Sequence, residues 1–135
     1  MKRLILCALF AWAAGLFASV SVKKLPNDAK NVEYYLLQNQ YVSAVISSCG
    51  GTLYKFSNLK TKEEFVGTEG AFRDQFAPNN TAFANALYTA KILKSSNESA
   101  VIELTAPVLV GVNQFNLIKK RYTLNADESL LRVET

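Results

Sequence analysis

Between residues 41 and 48 hydrophobic and polar side chains alternate. Val42, Ala44 and Ile46 fall on one face, and Ser43 and Ser47 fall on the other with Val45 between them. A period of two is that of a strand with one buried side. Residues 32–38, VEYYLLQ, read as the strand before it through their Val and Tyr content, and Asn39-Gln40 as a tight turn. At the far end stands Cys49-Gly50-Gly51, where glycine takes positive φ without steric cost. Residues 52–57 continue as TLYKFS, and there Thr52, Tyr54 and Phe56 alternate with Leu53, Lys55 and Ser57. The aromatic pair Tyr54 and Phe56 marks the face expected to be buried. A polar turn over 58–62 and the short run Glu64-Phe65-Val66 complete an antiparallel meander.

The remainder keeps the same period after one interruption. Residues 67–85 show no clean repeat and contain Gly67, Gly70, Pro78 and Asn79-Asn80, which reads as a long excursion. Its Phe72, Phe76 and Phe83 are expected to pack down on the domain. Four further strands are expected at 86–94, 100–106, 115–124 and 130–135, with turns at 95–99 and 125–129 and the last two strands paired as a hairpin. Lys119 and Arg121 alternate with Ile118, Lys120 and Tyr122, so one side of that strand is cationic and reads as a solvated sheet face. Helical periodicity is absent beyond the N-terminus. The fold class is all-β, an antiparallel β-sandwich. The pattern breaks off at Glu134-Thr135 in mid-strand, which would leave an open sheet edge. The expectation is therefore the N-terminal part of a longer protein, with the sandwich incomplete.

The N-terminus divides the chain. Met1-Lys2-Arg3, an apolar run over 4–17 and the small residues Ala18, Ser19 and Ser21 describe a secretory signal peptide. The expected cut follows Ala18, with Ser21 as second choice. The rival is a retained anchor, the one route by which this chain would meet a membrane; a spanning helix wants about 20 apolar residues. The division is signal peptide 1–18, polar leader 19–31 with a loop over 23–31, and β-sandwich 32–135. The location is periplasmic or extracellular.

Charge and cysteine add little to that picture. Fifteen Lys and Arg face eleven Asp and Glu, but Lys2 and Arg3 leave with the signal, so thirteen face eleven and the net charge falls from +4 to +2. That balance gives no argument for nucleic acid as a partner. Cys7 also leaves, and Cys49 remains as a lone thiol, read as a small buried core residue.

Candidate chemistry is sparse. The chain has no histidine, which removes Ser-His-Asp and Cys-His catalysis and the commonest zinc ligand. No catalytic residue, metal site or cofactor is expected. Glu63-Glu64 reads as a solvated surface pair. Gly50-Gly51 lacks the lysine and the following helix of a phosphate loop. Lys119-Lys120-Arg121 could face an anion or an acidic lipid surface, against the plain reading of a solvated strand. Asn79-Asn80-Thr81 and Asn97-Glu98-Ser99 fit the glycosylation acceptor pattern. The most suggestive run is Arg73-Asp74-Gln75-Phe76. A guanidinium, a carboxylate, an amide and an aromatic ring together suit a sugar-like ligand, so Arg73, Asp74 and Phe76 are the ligand-binding candidates. The plain alternative is an ion pair and an aromatic plug that pin the loop.

Residues 39–66, with the strand Tyr41-Val42-Ser43-Ala44-Val45-Ile46, the Gly-Gly turn and the polar turn Leu59-Lys60-Thr61-Lys62-Glu63, resemble the opening of galactose-mutarotase-like domains. Ile118-Lys119-Lys120-Arg121-Tyr122-Thr123-Leu124 with Leu130-Leu131-Arg132-Val133-Glu134-Thr135 resembles the paired central strands of those domains. The resemblance covers about half the chain beyond the signal and implies a β-supersandwich in a carbohydrate-binding or carbohydrate-processing protein. Aldose epimerases of that family use histidines with a carboxylate, and no residue here matches them, so no catalytic role carries over. The periplasmic domain of YidC-type membrane insertases is similar in its supersandwich and Gly-Gly opening. It implies the alternative function, a periplasmic interaction domain in membrane-protein biogenesis.

Overall fold

The computed structural model describes residues 18–28, 30–68, 70–72, 85–110 and 113–135, with backbone alone for 107–110 and 113–117. Two four-stranded antiparallel meanders make up the fold. The first sheet takes strands β1 (Ser21–Leu25), β2 (Tyr34–Gln38), β3 (Val42–Ser47) and β4 (Thr52–Asn58) in chain order. The second takes β5 (Thr89–Ser95), β6 (Ser99–Val110), β7 (Asn113–Asn125) and β8 (Leu131–Glu134), also in order. No helix appears in either. The fold is all-β and sandwich-like, as the alternation implied.

The core follows from the period of two. Tyr35 and Leu37 of β2, Val42, Ala44 and Ile46 of β3, Ala100, Ile102, Leu104 and Ala106 of β6, and Tyr122 and Leu124 of β7 form one buried cluster drawn from both sheets. Each large side chain in it contributes about 1.5–3 kcal/mol by leaving water. Small Ala44, Ala100 and Ala106 stand among Leu, Ile and Tyr, which lets facing layers interdigitate.

Several expectations change. The polar leader is not all loop: β1 occupies Ser21–Leu25 and pairs with β2, Val22 packs against the core, and Lys23 and Lys24 stay exposed on the sheet edge. Lysines at an edge discourage pairing with another chain. Val20 is buried in the core as well. The strand expected at 86–94 begins at Thr89 instead, with Tyr88 buried before it. Phe72 is 54% exposed and does not pack down; Phe76 and Phe83 lie outside the described residues.

The largest change is in β4. Val45 pairs with Lys55 but the next residue, Ile46, pairs with Leu53, so Tyr54 is an extra residue in the ladder. Such a bulge shifts the inside-outside alternation by one. Leu53 turns inward and is buried, whereas Tyr54 stands outside at 40% exposure, and Phe56 is half-buried against Phe65. The aromatic pair expected on one buried face is divided between two.

Candidate functional site

The turn between β3 and β4 is held from three directions. Gly50 N–H donates to Ala86 O (2.8 Å), and Tyr88 N–H donates to Ser48 O (2.8 Å). Ser48 N–H donates to Glu33 O (2.8 Å), while Ser48 Oγ accepts from Glu33 N–H (2.9 Å). From the second sheet, Tyr122 Oη donates to Gly51 O (2.7 Å). Lys120, only 1% exposed, donates through Nζ to Gly50 O (3.4 Å), Gly51 O (3.3 Å) and Phe72 O. Both glycines have positive φ, 67° and 56°. A Cβ on Gly51 would also stand 3.2 Å from the Tyr88 ring and 3.3 Å from Lys120 Cδ, so the position admits glycine alone without rearrangement. The turn aims carbonyls, not N–H groups, at its charged partner, the opposite of what an anion cradle requires.

Beyond this turn lies a cleft of about 400 Å³, lined by Asp28, Lys30, Val32, Tyr34, Ser47, Cys49, Thr52, Tyr54, Thr68 and Asn85. The rings of Tyr34 and Tyr54 meet there with centroids 5.4 Å apart at 56°, a tilted pair within the favoured range. Tyr34 comes from β2 and reaches the outer side by ordinary alternation; Tyr54 reaches it through the bulge. Asp28 Oδ1 accepts the N–H groups of Lys30 (2.8 Å) and Val32 (3.0 Å), and Oδ2 accepts from Tyr34 Oη (3.3 Å). The Val32 N–H, followed by the bonds from Lys30 and Tyr34, holds the Asp28 carboxyl below its ordinary range. Burial, then the Asp28 charge, pushes the Tyr34 phenol up. A carboxylate so engaged fixes the turn and the ring beside it.

Two further lobes adjoin. One, of about 340 Å³, lies between Leu25, Pro26, Tyr34, Val45, Tyr54 and Lys55, and is largely apolar. The other, of about 520 Å³, is bounded by Tyr54, Lys55, Glu64, Val66, Gly67 and Thr68. Tyr54 belongs to all three lobes.

The candidates read from sequence fare unevenly. Arg73, Asp74 and Phe76 lie outside the described residues. Cys49 is not a core thiol: it is half-buried in the cleft wall, with Sγ 3.8 Å from Asn85 O. Of Glu63-Glu64, both exposed as expected, Glu64 borders a lobe. The Lys119-Lys120-Arg121 run is divided by alternation. Arg121 faces out and meets Glu103 (2.8 Å) and Glu134 (3.8 Å), in a row Lys91-Glu103-Arg121-Glu134 that crosses all four strands of the second sheet. Along that row the charges alternate, and Lys119 is exposed on the same side, as a solvated strand face implies. Sequence reading missed Tyr34, Tyr54 and Asp28. Their only signals were the tyrosine-rich strand and the Pro26-Asn27-Asp28 turn residues.

Among the described residues no group of three or more metal-ligating side chains comes together, and no helix is long and apolar enough to cross a membrane. Compared with known protein families, curated proteins and solved structures, the chain matches none.

Proposed function

We propose that this chain is an exported carbohydrate-binding domain, or the binding part of a carbohydrate-processing protein, and that the Tyr34–Tyr54 cleft is its sugar site. The observation that carries the reading is the tilted ring pair in a cleft whose wall, beside Val32 and the Cys49 thiol, carries hydroxyl, amide, ammonium and carboxylate groups. A pyranose has a C–H face that packs on an aromatic ring and a rim of hydroxyls that needs donors and acceptors. The exposed Thr68, Asn85 and Lys30 supply both kinds around Tyr54. The family resemblance of residues 39–66 points the same way. Binding without turnover is the role proposed, since a chain with no histidine offers no counterpart to the epimerase machinery. Export rests on the signal-like residues 1–18. A cut after Ala18 keeps Val20 in the core, whereas a cut after Ser21 would remove it.

The test is titration of the folded chain with a saccharide panel, followed by calorimetry and by NMR shifts of Tyr34 and Tyr54. Binding is expected to fall about tenfold or more in Tyr54→Ala, the loss of one stacked ring face. Arg73→Ala and Asp74→Ala, run in parallel, ask whether the downstream segment contributes as well. A panel in which no sugar binds would sink the reading.

A further inference from the structure

Three lobes surround one ring, and this geometry goes further than a sugar site. Tyr54 borders each lobe; Tyr34 is shared by the first and second, Lys55 by the second and third, and Thr68 by the first and third. The three lobes are therefore neighbours, each pair bordered by side chains common to both. Each alone, at about 400, 340 and 520 Å³, sits toward the lower part of the range of small-ligand pockets, about 300–1,000 Å³. Lined space therefore meets Tyr54 in three lobes, room for more than one unit of a chain.

Taking the carbohydrate reading as its basis, we infer that the site recognises an internal unit of an oligosaccharide chain, held on Tyr54, with neighbouring units in the adjoining lobes. The lobes differ in what they offer. The second presents Leu25, Pro26 and Val45 to the C–H face of a neighbouring unit, and the third presents Glu64 and Thr68 to hydroxyls. Lys55 has a defined place in this arrangement. It lines both lobes beyond the first, where a second unit would lie. Lys55 is exposed and opposes Val45 on the outer face, and the core does not depend on it. The bulge at Tyr54 is what creates the site, because without it Tyr54 would turn inward and Leu53 outward.

The experiment compares chain lengths on the full chain. The probes are mono-, di-, tri- and tetrasaccharides of four series: β-1,4-glucose, β-1,4-N-acetylglucosamine, β-1,4-mannose and α-1,4-glucose, each titrated by calorimetry. In the series that binds, the trisaccharide is expected to bind about tenfold or more tighter than the monosaccharide, as added contacts accrue without a second association cost. Lys55→Ala should remove most of that gain and leave the monosaccharide affinity unchanged, while Tyr54→Ala should weaken every length. Circular dichroism of both variants confirms that the sheets are intact. Equal affinity for monosaccharide and trisaccharide overturns the inference and leaves the sugar site standing. A length-dependent gain that survives Lys55→Ala also overturns it, by placing the extra contacts elsewhere. No binding in any series brings down both the inference and the carbohydrate reading.

Discussion

At one end of the sandwich the two sheets are joined by a neutral amide; at the other they are joined by an ammonium and a phenol. Asn39, buried in the β2–β3 turn, accepts through Oδ1 from the N–H groups of Tyr41 and Val42 (both 2.9 Å) and donates through Nδ2 to Asn125 O and Glu128 O (both 2.7 Å). One side chain thereby closes its own turn and fastens it to the β7–β8 turn. At the opposite end Lys120 and Tyr122 reach from β7 to the carbonyls of Gly50 and Gly51. The consequences differ. An amide carries donors and acceptor together, so it satisfies groups of both turns. An ammonium only donates, so it draws carbonyls inward and leaves the outer sides of Ser47, Cys49 and Thr52 to line the cleft. Buried polar ties stand at both ends, and the charged one lies behind the cleft.

Substitutions at each end put numbers on the contrast. Lys120→Met keeps the stem and removes the ammonium from three carbonyls, and should cost about 3–5 kcal/mol, read as a lower urea midpoint with little change in slope. Stability equal to the parent would show that the turn does not depend on the charge. Asn39→Ala should cost about 2–3 kcal/mol, because it takes the partner from two carbonyls of the β7–β8 turn and from the N–H groups of Tyr41 and Val42 in a buried place. Were Asn39→Ala to cost more than Lys120→Met, the amide end would be the principal fastening. Tyr122→Phe removes the bond to Gly51 O and should cost about 1–2 kcal/mol in thermal unfolding while sparing the core. The smallest effect is expected at Asp28→Asn, on the cleft side. Its carboxyl titrates below the ordinary aspartate value of 3.8 in the folded chain, so its contribution is present above that value and is lost as pH falls through the depressed one. The parent should exceed the variant slightly at neutral pH, and the gap should close on acidification. A gap that widened in acid would contradict the assigned direction.

Much of the fold was legible because it is local. The alternation of Val42, Ala44 and Ile46 gave the buried face of β3, and all three are in the core. Gly50 and Gly51 were expected to take positive φ and do so. Asn39-Gln40 was expected to turn, and the closing hairpin lies where the polar residues of 125–129 placed it. Alternation also set Lys120 on the side of Ile118 and Tyr122, although a lysine there reads as solvated until the carbonyls opposite it are known. The site was less legible. Arg73, Asp74 and Phe76, a run of suitable residue types, lie outside the described residues; the cleft that is described is assembled from Asp28, Tyr34, Cys49, Tyr54, Thr68 and Asn85, which are scattered along the chain.

The sequence by itself determined the period of two, the turns and the absence of histidine chemistry, since each depends on neighbouring residues or on composition alone. Only the tertiary structure decided which way Tyr54 points and what Lys120 touches. Tyr54 faces out because β4 carries one residue more than β3 can pair with. Lys120 is tolerated in the core because a turn some seventy residues away in sequence brings its carbonyls within reach. Register and cross-sheet partners belong to pairs of distant segments, and no window along one strand contains both members of such a pair.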